Sequence, residues 1–546
     1  MSGANVSPPG RNNTEIFEQA RTYIRQHNSI IAPLHKDYSL KYWDLSLNGN
    51  DEALEKAVVE AKERFLKIYN NRDEFRQIRE WRAAGIQLDE NDARELKLIH
   101  DAFVPNQIEP ESLHEIVERE TQIENVFNTF RATFEDGHAS ENQLRDILRT
   151  ETNIARRQAA WEASKQVGHA VAPKLLELIA IRNSEARKLG YSDYYSMMFE
   201  LQELDETWVF SLLDRLEQLS DNAFTELKNE LDAALKQKFG VSDRENYPWL
   251  YSDPFFQEFP STGAAESLDE VFKDCDIEAL TRAHYRSIGL EIDELLSHAD
   301  LYERDGKSQH AFCMDVDHEG DVRVLCNIRR NERWMSTMLH EFGHAVYDKY
   351  NDPSLPFLLR TPAHTLTTEA IAMLNGRMSK DPEWLTKIGG LSPVDAQRVS
   401  ASAWKTLRSE MLIFLRWAIT LIRFERELYR HPESDLNRLW WEYVERVQKI
   451  SPPPKRHQAD WASKTHLATA PVYYQNYVLG ELMASQLLRH IHQNVVKSES
   501  YVGNPEVGAY LVEKVFRLGA RYDWNTMLMK ATGEQLRAEY FVQQFI

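Results

Sequence analysis

Cysteine is scarce in this chain: three in 546 residues (Cys275, Cys313, Cys326), with no close spacing. That excludes a cysteine zinc site and fits a reducing compartment. Glycine and proline are modest, 21 and 20, which argues against long disordered segments. Basic residues are outnumbered 65 to 85, giving a net charge of −20. A field of that sign repels phosphate backbones, so no nucleic-acid partner is expected; it mildly favours cationic ligands. Long apolar runs are missing as well. The most apolar stretch, Met411–Ile422, is too short to span a bilayer and is broken by Arg416, so it reads as a buried core helix. Met1–Arg11 lacks the apolar stretch of a secretory signal. The expectation is a cytoplasmic protein without a membrane partner.

What is present is helical spacing. Apolar residues recur every three or four positions, as in Leu54, Val58, Val59, Ala61, Phe65, Leu66 and Tyr69, and again over 207–240 and 393–430. The fold class is therefore mainly α. Residues 1–14 read as a flexible tail, and 15–245 as helix after helix with short connections. An aromatic and proline-rich crossing segment follows over 246–265. No repeat and no long linker divides 15–546, which reads as a single catalytic unit. One stretch breaks the helical rule: 310–317 and 321–328 alternate around His318-Glu319-Gly320, a β-hairpin signal. The free edge of such a strand can bind an extended peptide through its main chain.

The chemistry lies in His340-Glu341-Phe342-Gly343-His344, set within apolar helical sequence. Positions i and i+4 share one helix face, so both imidazoles can reach one zinc ion. Glu341 can hold the attacking water without being a ligand. Downstream, after a loop with prolines at 353, 356 and 362, Thr367-Thr368-Glu369 opens another apolar run, Ala370–Leu374. Glu369 is the candidate third ligand, leaving one tetrahedral position open, as a catalytic zinc requires.

With these residues in hand, the chain resembles the angiotensin-converting-enzyme-like family of zinc dipeptidyl carboxypeptidases, a gluzincin family more distantly related to thimet oligopeptidases and oligoendopeptidases. Four patches between about residues 310 and 485 carry the likeness. His340, His344 and Glu369 resemble the metal ligands and Glu341 the general base. His310-Ala311 resembles a hairpin pair that holds the substrate backbone. Lys464-Thr465-His466 is similar to a Lys-x-His in which lysine grips the C-terminal carboxylate and histidine binds near the scissile carbonyl. Tyr474-Gln475-Asn476-Tyr477 is similar to a Tyr-x-x-Tyr that supplies a carboxylate contact and an oxyanion donor. The gap between these last two patches is one residue longer here, which leaves Tyr473 as a rival to Tyr474.

The resemblance implies a helical ellipsoid of two lobes with a deep central cleft, the zinc-binding helix at its floor and the hairpin beside it. It also implies a lid over 15–100, one zinc per chain, and short peptides as substrates, cut to release C-terminal dipeptides. An oligoendopeptidase or carboxypeptidase of the same fold is the alternative, and a catalytically silent peptide-binding protein another. Three positions depart from the family. Asn476 replaces an arginine that helps bind chloride. Met373 replaces an aspartate that orients a zinc histidine, with Asp348 as the substitute candidate. A glutamine contact to the substrate carboxylate has Pro248–Tyr251 as its nearest candidate. Cys313 and Cys326 could face each other across the hairpin, but their spacing differs from the family's bridged pair, so free thiols are expected.

Overall fold

The computed structural model describes residues 11–85, 88–241, 246–260 and 268–546. Helices open where short polar side chains can take the first free N–H groups: Asp51, Asn71, Asn153, Asp205 and Asn331 each cap the helix that follows. The apolar pattern over 207–240 is the helix Glu206–Phe239, ended by Gly240 in the left-handed conformation. The pattern over 393–430 is the helix Pro393–Arg430. Within it Arg416 is buried, its guanidinium donating to Glu217 O (2.9 Å) and Ser220 Oγ (2.8 Å). Among the described residues no helix is long and apolar enough to cross a membrane.

The strands form two small antiparallel pairs, β1 (Ala132–Phe134) with β2 (Gly137–Ala139) and β3 (Phe312–Asp315) with β4 (Val322–Leu325). The protein is thus mainly α with a small hairpin, as its sequence pattern implies. The second hairpin is shorter than 310–317 and 321–328. The Asp315 carboxylate accepts the N–H groups of Asp317 and His318, and Asp317 accepts those of Glu319 and Asp321. Those side-chain bonds shape the turn, while Val316 N–H still donates to Asp321 O (2.9 Å). Cys313 faces Val324 in the register, and all three cysteines are free thiols.

Contacts divide the chain into two compact units. The first joins 1–107, 268–396 and 486–536; the second joins 108–267, 397–485 and 537–546. The expected tail lies outside the described residues over 1–10, and the first helix starts at Arg11. Of the crossing segment, 261–265 lie outside the described residues. The first unit holds both strands of the β3–β4 hairpin and, packed on them, the helix Glu332–Lys349. The second is built on Ile154–Lys188, whose buried side chains include Trp161, Leu175, Leu178 and Ile179.

Candidate functional site

In the first unit, Glu332–Lys349 buries Met338, Leu339, Phe342 and Val346 and leaves His340 and His344 on its less buried face. The partner helix Thr365–Gly376 begins where His364 turns its imidazole to accept the N–H of Leu366 (3.0 Å), two residues after Pro362. Its first turns carry Glu369 toward the two histidines. Close approach is possible because Gly343 has no side chain: a Cβ there would lie 2.7 Å from Ala372 Cα. Gly343→Ala is therefore expected to lower stability by about 1–3 kcal/mol through overpacking. Denaturant unfolding of the two proteins checks this.

The donor atoms converge. His340 Nε2 and His344 Nε2 are 3.3 Å apart, and Glu369 Oε2 lies 3.6 Å from the first and 4.0 Å from the second. Donors bonded to one tetrahedral zinc stand about 3.3 Å apart, so the set fits that ion with small adjustments. Burial pushes His340 down to about 4, and burial with the neighbouring His340 pushes His344 down to about 3, so both imidazoles are neutral, as ligands must be. Glu341 is buried beside them. Burial, reinforced by the charge of Glu369, pushes its carboxyl up to about 8, and burial raises Glu369 as well. A dication among these donors would reverse that preference toward the ionised forms. His344 turns its other nitrogen, Nδ1, to Thr368 Oγ1 at 2.7 Å. His310 and Ala311 precede β3, His310 exposed and its N–H donating to Ser308 Oγ (3.4 Å).

The second unit holds Lys464, His466, Tyr474 and Tyr477. Lys464 is buried, and its Nζ donates to Gln257 Oε1 (2.9 Å) among the rings of Trp417, Phe255 and Tyr474. Burial lowers its pKa to about 8. Gln257 is held by the buried Asp253, whose carboxylate accepts the N–H groups of Phe255, Gln257 and Glu258. Tyr474 accepts a hydrogen bond from Trp417 Nε1 (2.8 Å), and its ring lies 5.3 Å from His466 and 5.4 Å from Tyr477. Burial, then the Lys464 charge, lowers His466 to about 4. Its buried Nδ1 has no hydrogen-bond partner among the described residues. Just upstream, Val472 is a β-branched residue at φ +55°, a strained conformation. It is clamped by Glu425, which accepts its N–H (2.8 Å), and by Gln202 and Gln475, which donate to its carbonyl (2.9 and 2.7 Å).

A model of the family described as angiotensin-converting enzyme, a peptidase family, matches residues 14–238 and 302–545. The chain belongs to the angiotensin-converting enzyme family. Thermostable carboxypeptidase 1 of Pyrococcus furiosus is 26% identical over 247 residues, 41% of this chain and 49% of that protein. The chain thus matches about half the length of this curated relative.

The positions that depart from the angiotensin-converting enzyme family have the following surroundings. In Pro248–Tyr251 the carbonyls of Trp249, Leu250 and Tyr251 accept from the buried Arg157 guanidinium (2.9, 3.2 and 2.9 Å). Gln257 is the glutamine beside Lys464. It sits in a loop with no periodic pattern, presented by the Asp253 turn. Asp348 neighbours Cys313 Sγ (4.0 Å) and the carboxyl of Asp315; the partner of the His344 imidazole is Thr368. Asn476, at the family's arginine position, donates to Gln202 Oε1 (2.9 Å). Of the rival tyrosines, Tyr474 is the one beside Lys464, while Tyr473 stacks edge-on against Tyr477 (5.3 Å).

Proposed function

We propose that the protein is a cytoplasmic zinc metallopeptidase that hydrolyses short peptides and releases C-terminal dipeptides. The observation that carries this reading is the convergence of His340, His344 and Glu369 with Glu341 buried next to them, in a chain of a peptidase family. His340, His344 and Glu369 would hold the ion. A zinc there supplies Lewis acidity, polarising the scissile carbonyl and lowering the pKa of water toward ~7.

The chain's own groups do the rest. Glu341 takes the proton of the attacking water and delivers it to the leaving amine. His466 and Tyr477 donate hydrogen bonds to the developing oxyanion, a role the family resemblance gives them. His310 and Ala311, at the start of β3, hold the substrate main chain by strand addition. Lys464 and Tyr474, joined by Gln257, anchor the C-terminal carboxylate through charge-assisted hydrogen bonds. Residues 15–100 act as the lid that restricts entry to short peptides.

Two matched peptides test the reading, one with a free C-terminal carboxylate and one amidated, each with and without chelator and followed by mass analysis of products. The expected result is a chelator-sensitive dipeptide from the free acid alone. Loss of single C-terminal residues from the free acid would favour the cut named for the Pyrococcus furiosus relative. Equal internal cleavage of both peptides would make the enzyme an oligoendopeptidase. Stoichiometric peptide binding without turnover would leave a silent peptide-binding protein.

A further inference from the structure

We propose that Thr368 is the positioning residue for His344, its hydroxyl holding the ring through Nδ1. The proposal rests on the zinc reading above. The ring of His344 has two distinct faces: Nε2 looks toward His340 Nε2 (3.3 Å) and Glu369 Oε2 (4.0 Å), and Nδ1 toward Thr368 Oγ1 (2.7 Å). An imidazole that gives Nε2 to a cation must carry its proton on Nδ1, and that N–H then donates to the threonine oxygen. The tautomer and the ring plane are fixed by that one bond.

No other described group competes for the role. Met373, one turn beyond Glu369, offers only a thioether, a weak acceptor. Asp348 lies by Cys313 and Asp315. The neighbouring Thr367 hydroxyl is engaged in the helix start, donating to His364 O (2.7 Å) and accepting the His364 N–H (3.3 Å). Thr368 is held in place by a β-branched side chain of few rotamers and by the interhelical fit that Gly343 permits. One helix turn thus supplies both a ligand, Glu369, and the orienter of the ligand facing it. A hydroxyl is neutral, so it fixes the ring without adding the negative charge by which a carboxylate would make the imidazole a stronger base.

The test titrates the full-length protein with zinc alone against a chromophoric chelator, for wild type, Thr368→Val and Thr368→Ser. Melting of each metal-free protein reports on folding. Valine keeps the shape and removes the oxygen, and should weaken zinc affinity by about 10- to 100-fold; serine, which keeps the oxygen, should stay within about threefold of wild type. Valine binding zinc as tightly as wild type, or serine binding as weakly as valine, overturns the assignment. A wild-type protein that takes up no stoichiometric zinc overturns the zinc reading itself, and the assignment with it.

Discussion

Glu341→Gln is expected to bind zinc at wild-type stoichiometry and to lose about a thousandfold or more in turnover. The amide matches the carboxylate in shape and keeps one acceptor oxygen, so the buried helix face of Leu339, Phe342 and Val346 is undisturbed. What it cannot do is accept the proton of the attacking water. The side chain is not among the converging donors, which are His340, His344 and Glu369, so removing its charge leaves the ligand set whole. The loss should fall on kcat rather than KM, because the proton moves only as the transition state forms. Metal content and single-turnover rates measured on one preparation decide it. A zinc-loaded variant that still turns over would remove Glu341 from the role of base.

The legible part of this site was the part written in helix periodicity. His340 and His344 are four apart on one helix, so their shared face follows from 3.6 residues per turn. Glu369 could be placed because it opens an apolar helical run after prolines. Two neighbours of these groups, Thr368 and Gln257, carry no such periodic signal. Family likeness directs attention to a carboxylate orienting one zinc histidine, at the Met373 position or, in its place, Asp348. The actual partner, Thr368, precedes the ligand Glu369, and it reaches His344 only because Gly343 and Ala372 let the helices nearly touch. Gln257 was hidden for a related reason: its position is set by Asp253 gathering three backbone N–H groups, a turn with no periodicity to detect. The hairpin is shorter than its alternation implies, because at its open end the N–H groups of Cys326 and Ile328 turn to the carbonyls of Asp300 and Leu301 (2.8 Å each). The positive φ of Val472, just before Tyr474, is likewise a feature that sequence alone does not reveal.

Lys464→Met should erase the proposed preference for a free C-terminus. The ammonium is buried at 2.9 Å from Gln257 Oε1, among the rings of Trp417, Phe255 and Tyr474 (5.1, 5.6 and 5.6 Å). A carboxylate entering such a place forms a charge-assisted bond shielded from water. Losing one partner of a buried charge pair costs 2–5 kcal/mol, so kcat/KM for the free-acid peptide should fall about 30-fold or more. The amidated peptide never had that bond and should be cleaved as before, poorly. Stability should hold or rise, because methionine fills similar volume without a buried charge, and a matching melt separates anchoring from folding. The same lysine gives a pH signature whose sign is fixed. Burial lowers its pKa to about 8, so the charge is present below that value and is lost as pH rises through it. KM for the free acid should therefore climb above pH 8 in the wild type and stay flat in the methionine variant. A variant that still prefers the free acid, with an unchanged pH profile, would move the carboxylate anchor away from Lys464.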